Sequence, residues 1–229
     1  YERDFTLIGS ITHAFKGDPA IVAMGVREVA YLCDAANRYF REQIAPVDVL
    51  RTISAANSVI APARRHRSDG AASLDFGRGK APLLTMFGGD VTTARWRAER
   101  AVSKFTRFHP MTPRWTATAP LPGGEFAWQR FETEVDIARD HWRFLSEAQA
   151  RRLVAAYGLN VKDVLGDAKA KADLGPAFGA ELTGAEVRYL MQKEWARFPD
   201  DILWRRSKLG LTMPQADRDA LAAFMTKPD

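Results

Sequence analysis

The residues best placed to do chemistry are Phe87-Gly88-Gly89-Asp90-Val91-Thr92-Thr93. An apolar run, Pro82-Leu83-Leu84-Thr85-Met86-Phe87, reads as a buried strand and breaks at the two glycines. A helical pattern follows from Thr92. Glycines at that point let backbone N–H groups come close to a ligand. The first turn of a helix adds free donors and partial positive charge. Strand, Gly-Gly and helix start together suit the edge of an electron-rich cofactor. The same pattern also makes an ordinary tight strand-to-helix turn, and spacing alone leaves both readings open.

Other reactive residue types form no recognisable site. The four histidines, His13, His66, His109 and His141, lack metal-ligand spacing. The single cysteine, Cys33, falls in a helical pattern and reads as a packed thiol. One cysteine excludes an internal disulfide framework and suits a reducing compartment. Asp200-Asp201 could be paired carboxylates, but two acids at a helix start are explained by capping and the helix dipole. Trp115, Trp128, Trp142, Trp195 and Trp204 read as core or helix-interface anchors.

Several elements would have to position the Gly-Gly turn. Phe5–Thr12 reads as a strand, followed by a turn at Lys16-Gly17-Asp18-Pro19. Asp18 is an N-cap and Pro19 a first helical residue. The expected helix carries Val22, Val26, Val29, Leu32, Cys33, Ala36 and Phe40 on one stripe and ends before Pro46. Val49–Ser54 reads as a short strand. Ala55–Ser73 is rich in Ala, Arg and Ser, without leucine or aromatics, and reads as loop. A shifted reading frame would also give such a composition. Leu74-Asp75-Phe76 is a further short strand, and a helix should run from Thr92 to Phe105.

A linker-like stretch, Pro110 to Gly124, precedes a region that reads as all-helical. One helix lies within 126–144. Ser146 caps the next, which packs Ala150, Leu153, Val154 and Tyr157 and stops at Gly158. Thr183-Gly184-Ala185-Glu186 has the form of a capping box, with a helix running on to Trp195. Short helices follow from Pro199 and from Pro214. Arg205 and Arg206 can pair with Glu186 and Glu194. The fold class expected is α+β: a strand-containing part over 1–121, then a helical domain over 122–229.

Composition bounds the rest. The chain has 229 residues, 46% hydrophobic and 27% charged, enough to bury a core. No run of about 18 apolar residues predicts a transmembrane helix. Tyr1 followed at once by strand-like sequence reads as an internal start. The net charge of +5 admits an anionic partner. Most cations alternate with acids, as on wet helix faces, and only Arg64-Arg65-His66-Arg67 and Arg205-Arg206 are dense. Nucleic-acid binding is therefore not the expected role.

The segment Asp200-Asp201-Ile202-Leu203-Trp204-Arg205-Arg206-Ser207-Lys208-Leu209-Gly210-Leu211 resembles the C-terminal helical domain of FAD-dependent, or aerobic, glycerol-3-phosphate dehydrogenases. So do Leu174 to Thr183, Glu186 to Leu190, and Glu194-Trp195-Ala196. The likeness holds from Leu121-Pro122-Gly123-Gly124 to Leu211. The first half resembles the same family through Tyr1 to Gly9, Lys16 to Pro19, and Gly79-Lys80-Ala81-Pro82-Leu83-Leu84 leading into Phe87-Gly88-Gly89.

For an intact member the resemblance implies oxidation of glycerol 3-phosphate to dihydroxyacetone phosphate. Electrons would pass through FAD to quinone at the cytoplasmic face of the inner membrane, with peripheral attachment. It places Gly88, Gly89, Asp90, Val91 and Thr92 at the flavin's pyrimidine edge. The family's Gly-x-Gly-x-x-Gly turn for the FAD pyrophosphate does not occur in this sequence. FAD binding by this chain alone should be weak or absent.

Departures from the family pattern fall on charges. Asp90 stands where the family has lysine, and Asn57 where it has an arginine facing substrate. A second, phosphate-holding arginine is missing near Gly70 to Ala72. A threonine-aspartate pair becomes Ile11-Thr12. Arg64, Arg65 or Arg67 offers only an unsupported alternative register for the phosphate contact. Each charge-assisted contact is worth about 1.5–3 kcal/mol, so these losses should weaken substrate binding by orders of magnitude. The reading is a fragment or degenerate member, inactive alone. Its competitor is a non-catalytic helical interaction module, with self-association open to either.

Overall fold

A computed structural model describes residues 5–56, 71–75, 81–87 and 91–226. The chain divides into two compact units, Tyr1–Ala117 and Thr118–Asp229. The fold class is α+β: one small sheet in the first unit and a helical second unit.

In the first unit Asp18 caps a single 3-10 turn, Pro19–Ile21, by accepting the Ala20 N–H at 2.9 Å. The helix proper, α1, spans Val26–Asn37 and starts later than the proline suggests. Glu28 closes its first turn by accepting the Gly25 N–H. Of the expected stripe, Cys33 and Ala36 are buried and Val29 and Leu32 half-buried, whereas Val26 and Phe40 are exposed. Strands β1 (Ala71–Asp75) and β2 (Leu83–Phe87) pair antiparallel, with Ala71 opposite Phe87 and Asp75 opposite Leu83. A 3-10 turn, Val91–Thr93, leads into α2 (Ala94–Ser103).

Three expectations for this unit need correction. Phe5–Thr12 and Val49–Ser54 have strand composition but no strand structure. A strand exists only through a neighbour's ladder of hydrogen bonds, and none for either segment lies among the described residues. Ala71, Ala72 and Ser73, read as loop, belong to β1, because β2 supplies their partner backbone. The rest of that loop, 57–70, and Phe76 lie outside the described residues.

Among the described residues, the second unit holds nearly all the buried apolar side chains. Helix α3 is Phe131–His141, α4 Glu147–Tyr157, α5 Val161–Leu165, α6 Gly184–Lys193 and α7 Gln215–Met225. One core cluster joins α3, α4 and α5 through Val135, Ala138, Trp142, Leu153 and Val164. A second joins α6 and α7 through Leu182, Val187, Leu190, Ile202 and Leu221. Ser146 caps α4 by accepting the Gln149 N–H at 3.1 Å. Thr183 caps α6 by accepting the Glu186 N–H at 3.4 Å. Asp201–Arg206 is a π-helical turn, closed by the Ser207 N–H on the Ile202 carbonyl. No helix among the described residues is long and apolar enough to cross a membrane.

Two further corrections concern side chains here. Trp142 is buried and Trp204 half-buried, but Trp128 and Trp195 are 79% and 81% exposed. Trp115, in the first unit, is exposed too. Arg205 and Arg206 do not reach Glu186. Arg205 pairs with Asp201 one turn back at 3.1 Å, and Arg206 donates to the Glu194 and Asp201 carbonyls.

Candidate functional site

The strand-turn-helix of the first unit forms from simple causes. Leu83–Phe87 is apolar enough to pair with β1, and the β-branched residues Val91, Thr92 and Thr93 form a 3-10 turn that leads into α2. Phe87 ends β2, Val91–Thr93 begins the helical run, and Val91 is 86% exposed. Gly88, Gly89 and Asp90 lie outside the described residues, as do Asn57, Gly70, Arg64, Arg65 and Arg67. Of the residues assigned to the flavin edge, the structure thus places Val91 and Thr92. Both sit in the 3-10 turn that leads into α2.

Two contacts from α2 set that geometry. Arg97 reaches back across the turn and donates from Nη2 to the Phe87 carbonyl at 3.3 Å. Its Nε is buried and has no hydrogen-bond partner among the described residues. Two positions on, Glu99 accepts the Thr116 N–H at 3.0 Å and its hydroxyl at 2.6 Å. The Thr116 hydroxyl chiefly, with Arg114 and Arg95 adding charge, holds the Glu99 carboxyl below the usual range. Sequence reading missed both residues. Their only trace was a helix dense in charge, Ala-Arg-Trp-Arg-Ala-Glu-Arg, directly after the turn.

Ile11 and Thr12 line a shallow cleft of about 440 Å³ with Ser10, Arg27, Glu28 and Tyr31. Glu28 accepts from Gly25 and faces His13 Nδ1 at 3.3 Å. A carboxylate in that cleft offsets the charge of Arg27, so it is not a strong anion site.

Among the described residues, the most deeply buried charge lies in the second unit. Glu186, 2% exposed, accepts both terminal nitrogens of Arg152 at 2.8 Å and the Tyr157 hydroxyl at 2.7 Å. Burial first, and then the Glu186 charge, raise the Tyr157 phenol far above its ordinary value. Burial works against the Arg152 charge, but the Glu186 bonds outweigh it and the guanidinium stays ionised. Such a network ties α4 to α6 and leaves no reactive atom open to substrate. It also explains why the capping box is half made: the Glu186 carboxylate is spent on Arg152 and Tyr157.

No group of His, Cys, Asp and Glu able to hold a metal occurs among the described residues. Cys33 is buried and free. Val91 and Thr92 are the described residues at the position that the resemblance gives to one edge of a flavin. The chain does not fit the whole dinucleotide, because the sequence holds no glycine-rich pyrophosphate turn.

Residues 114–226 match the family described as the C-terminal domain of alpha-glycerophosphate oxidase. The chain is 37% identical over 230 residues to a glycerol-3-phosphate dehydrogenase of Pseudomonas aeruginosa. It is 38% identical over 229 residues to a D-erythritol 1-phosphate dehydrogenase of Brucella abortus. To the aerobic glycerol-3-phosphate dehydrogenase of Escherichia coli it is 37% identical over 233 residues. Each match covers 98% of this chain but only 45%, 45% and 46% of the respective relative. The chain therefore spans a little under half the length of these relatives. Its helical unit carries the family's C-terminal domain, and the chain belongs to the glycerol-3-phosphate dehydrogenase and oxidase family, corresponding to the C-terminal part of its longer relatives.

Proposed function

We propose that this chain is the flavin-edge and helical-domain portion of an FAD-dependent dehydrogenase of polyol phosphates, inactive by itself. The observation that carries the reading is the alignment of 98% of the chain with such dehydrogenases. Relatives named for glycerol 3-phosphate and for D-erythritol 1-phosphate match equally well, so the substrate class is a short polyol carrying one phosphate. FAD, when bound, supplies the acceptor for the hydride leaving the alcohol carbon. This chain's own part is positional. The Arg97 tie fixes the end of β2 against α2, next to Val91 and Thr92, which the resemblance assigns to the flavin edge. Quinone as the final acceptor, cytoplasmic placement and attachment to a membrane surface belong to the same reading.

By the resemblance, Asp90, Asn57 and Gly70 replace three cations around substrate and flavin. The phosphate is accordingly held weakly. The test co-expresses the chain with the part of the Pseudomonas aeruginosa relative that lies outside the match. The chain alone should purify colourless. The pair should be yellow, and glycerol 3-phosphate or D-erythritol 1-phosphate should bleach it with poor saturation. Asp90→Lys should raise kcat/KM by about tenfold to a hundredfold, the value of one charge-assisted contact. A chain that is yellow and bleached by substrate without its complement would overturn the inactive-alone reading.

A second reading, a non-catalytic helical interaction module, is favoured by one observation. The second unit has two full core clusters, whereas Cys33 and Ala36 are the buried side chains described in the first. A colourless co-expressed pair would support it.

A further inference from the structure

Trp195 directly follows the C-cap of α6 and combines an unusual backbone conformation with an exposed side chain. Its φ of 59° lies in the left-handed region, which bulky residues rarely occupy. Its indole is 81% exposed. The backbone on both sides is nevertheless locked. Arg206 donates to the Glu194 carbonyl, and the Ala196 N–H returns to the Leu190 carbonyl at 3.0 Å. Ala196 is itself buried in the second core. Three residues after Trp195, Phe198 is 67% exposed, and its N–H is held at 3.0 Å by the Asp201 carboxylate. That carboxylate also accepts the Arg197 N–H at 2.9 Å. Two large aromatics are thus presented to solvent from a loop whose backbone is held by these hydrogen bonds.

Rigid, exposed aromatics beside arginine have the make-up of interface hot spots, where little entropy remains to be lost on docking. We propose that the loop 194–198 is a docking knob, and that its occupant is the polypeptide which the longer relatives carry beyond this chain. The inference rests on the family reading above. Two observations choose this occupant. More than half of each relative's length lies outside the match, so a large protein surface exists to receive the knob. The area also argues against a second copy. A tryptophan and a phenylalanine bring roughly 300–500 Å². Two such loops meeting would bury less than the ~1,200 Å² of a stable interface. A seat within one longer chain needs no such area, because the tether supplies effective concentration.

The test is radical footprinting with mass spectrometry on the full chain, alone and paired with the remaining part of the Pseudomonas aeruginosa relative. Trp195 and Phe198 should label strongly in the chain alone and be protected in the pair, while Trp128, 79% exposed, serves as an internal reference. Trp195→Ala with Phe198→Ala should leave the melting temperature of the chain unchanged and weaken the pair by about thirtyfold, the size of a hot-spot loss. A stable pair in which Trp195 labels as in the free chain, or in which the double variant binds equally well, overturns the knob but leaves the family reading standing. Failure of the unaltered chain to pair at all overturns both. Protection of Trp195 in the chain alone at high concentration would make a second copy the occupant. Protection on vesicles of phosphatidylcholine and phosphatidylglycerol would make it lipid. Either result overturns the proposal.

Discussion

At the residue scale, the sharpest consequences come from two carboxylates. Glu186 takes three hydrogen bonds from Arg152 and Tyr157 in a nearly closed pocket. Removing one partner of a buried pair strands the other charge, at a cost of about 3–5 kcal/mol. Glu186→Ala should therefore lower the melting temperature by at least about 10 °C. Tyr157→Phe, which removes one bond to a charged acceptor, should cost less, about 1.5–3 kcal/mol. Calorimetry on the two variants checks the order, and an Ala variant no less stable than the Phe variant would remove Glu186 as the centre of the network. Asp201 gives a pH dependence. The Arg197 and Phe198 N–H groups, and then Arg205 and Arg206, depress its folded value below 3.8. A depressed carboxyl stabilises the fold above its unfolded pKa, and that contribution fades as the pH falls through the lower folded value. Asp201→Asn should thus destabilise the chain near neutrality and flatten the stability loss below about pH 4. Acid titrations followed by circular dichroism would show the two curves converging; parallel curves would rule the linkage out. Glu186 as a buried partner was not legible in the sequence, because Thr183-Gly184-Ala185-Glu186 describes a cap equally well. Only the packing of α4 against α6 decides where that carboxylate goes.

Element boundaries in the second unit were legible wherever a local interaction sets them. Ser146 before α4, Gly158 after it, Thr183 before α6 and Pro214 before α7 act within one turn of their own position. Strands in the first unit were not legible to the same degree. Composition at Phe5–Thr12 and at residues 71–73 points the wrong way in both cases, since pairing decides what becomes a strand, whereas Leu74 and Asp75 read correctly as strand. Two glycines, Gly123 before α3 and Gly158 at the end of α4, carry a further prediction. Gly123 and Gly158 have φ of 85° and 55°, and the Leu159 N–H donates to the Gly123 carbonyl at 2.9 Å. A Cβ at Gly158 would collide with the Gly123 carbonyl oxygen, and one at Gly123 with the Tyr157 carbonyl oxygen. Left-handed strain alone costs roughly 1–2 kcal/mol, and the backbone clash adds to it. Gly158→Ala and Gly123→Ala should each destabilise by more than about 2 kcal/mol. Because the two sites meet, the double variant should cost less than the sum. Denaturant unfolding of the three proteins tests this, and strict additivity would mean that the glycines act separately.

For the molecule as a whole, burial is divided very unevenly. Leu7, Val26, Tyr31, Leu50, Ile53, Leu83 and Phe87 are all exposed in the first unit, and Cys33 and Ala36 are the buried side chains described there. Apolar surface contributes about 25 cal/mol per Å² only when it leaves water. A unit that leaves such side chains wet therefore gains little against the entropy of ordering its backbone. The apolar stripe of α1 was visible in the sequence, but what covers it was not, since a stripe records only that something should. The second unit, with two continuous clusters, has what it needs for cooperative folding. Stability should accordingly differ along the chain, with opening of the first unit costing far less than opening of the second. Brief digestion with trypsin should cleave first among the basic residues before Thr118 and leave a resistant product spanning most of 118–226. That product should keep its helical circular dichroism and melt at the temperature of the uncut chain. Pairing with the remaining part of a longer relative should then slow the early cleavages while leaving the resistant region unchanged. Equal resistance of both units in the unpaired chain would show that the exposed side chains do not limit the first unit's stability, and the argument that it requires a covering partner would fall with that result.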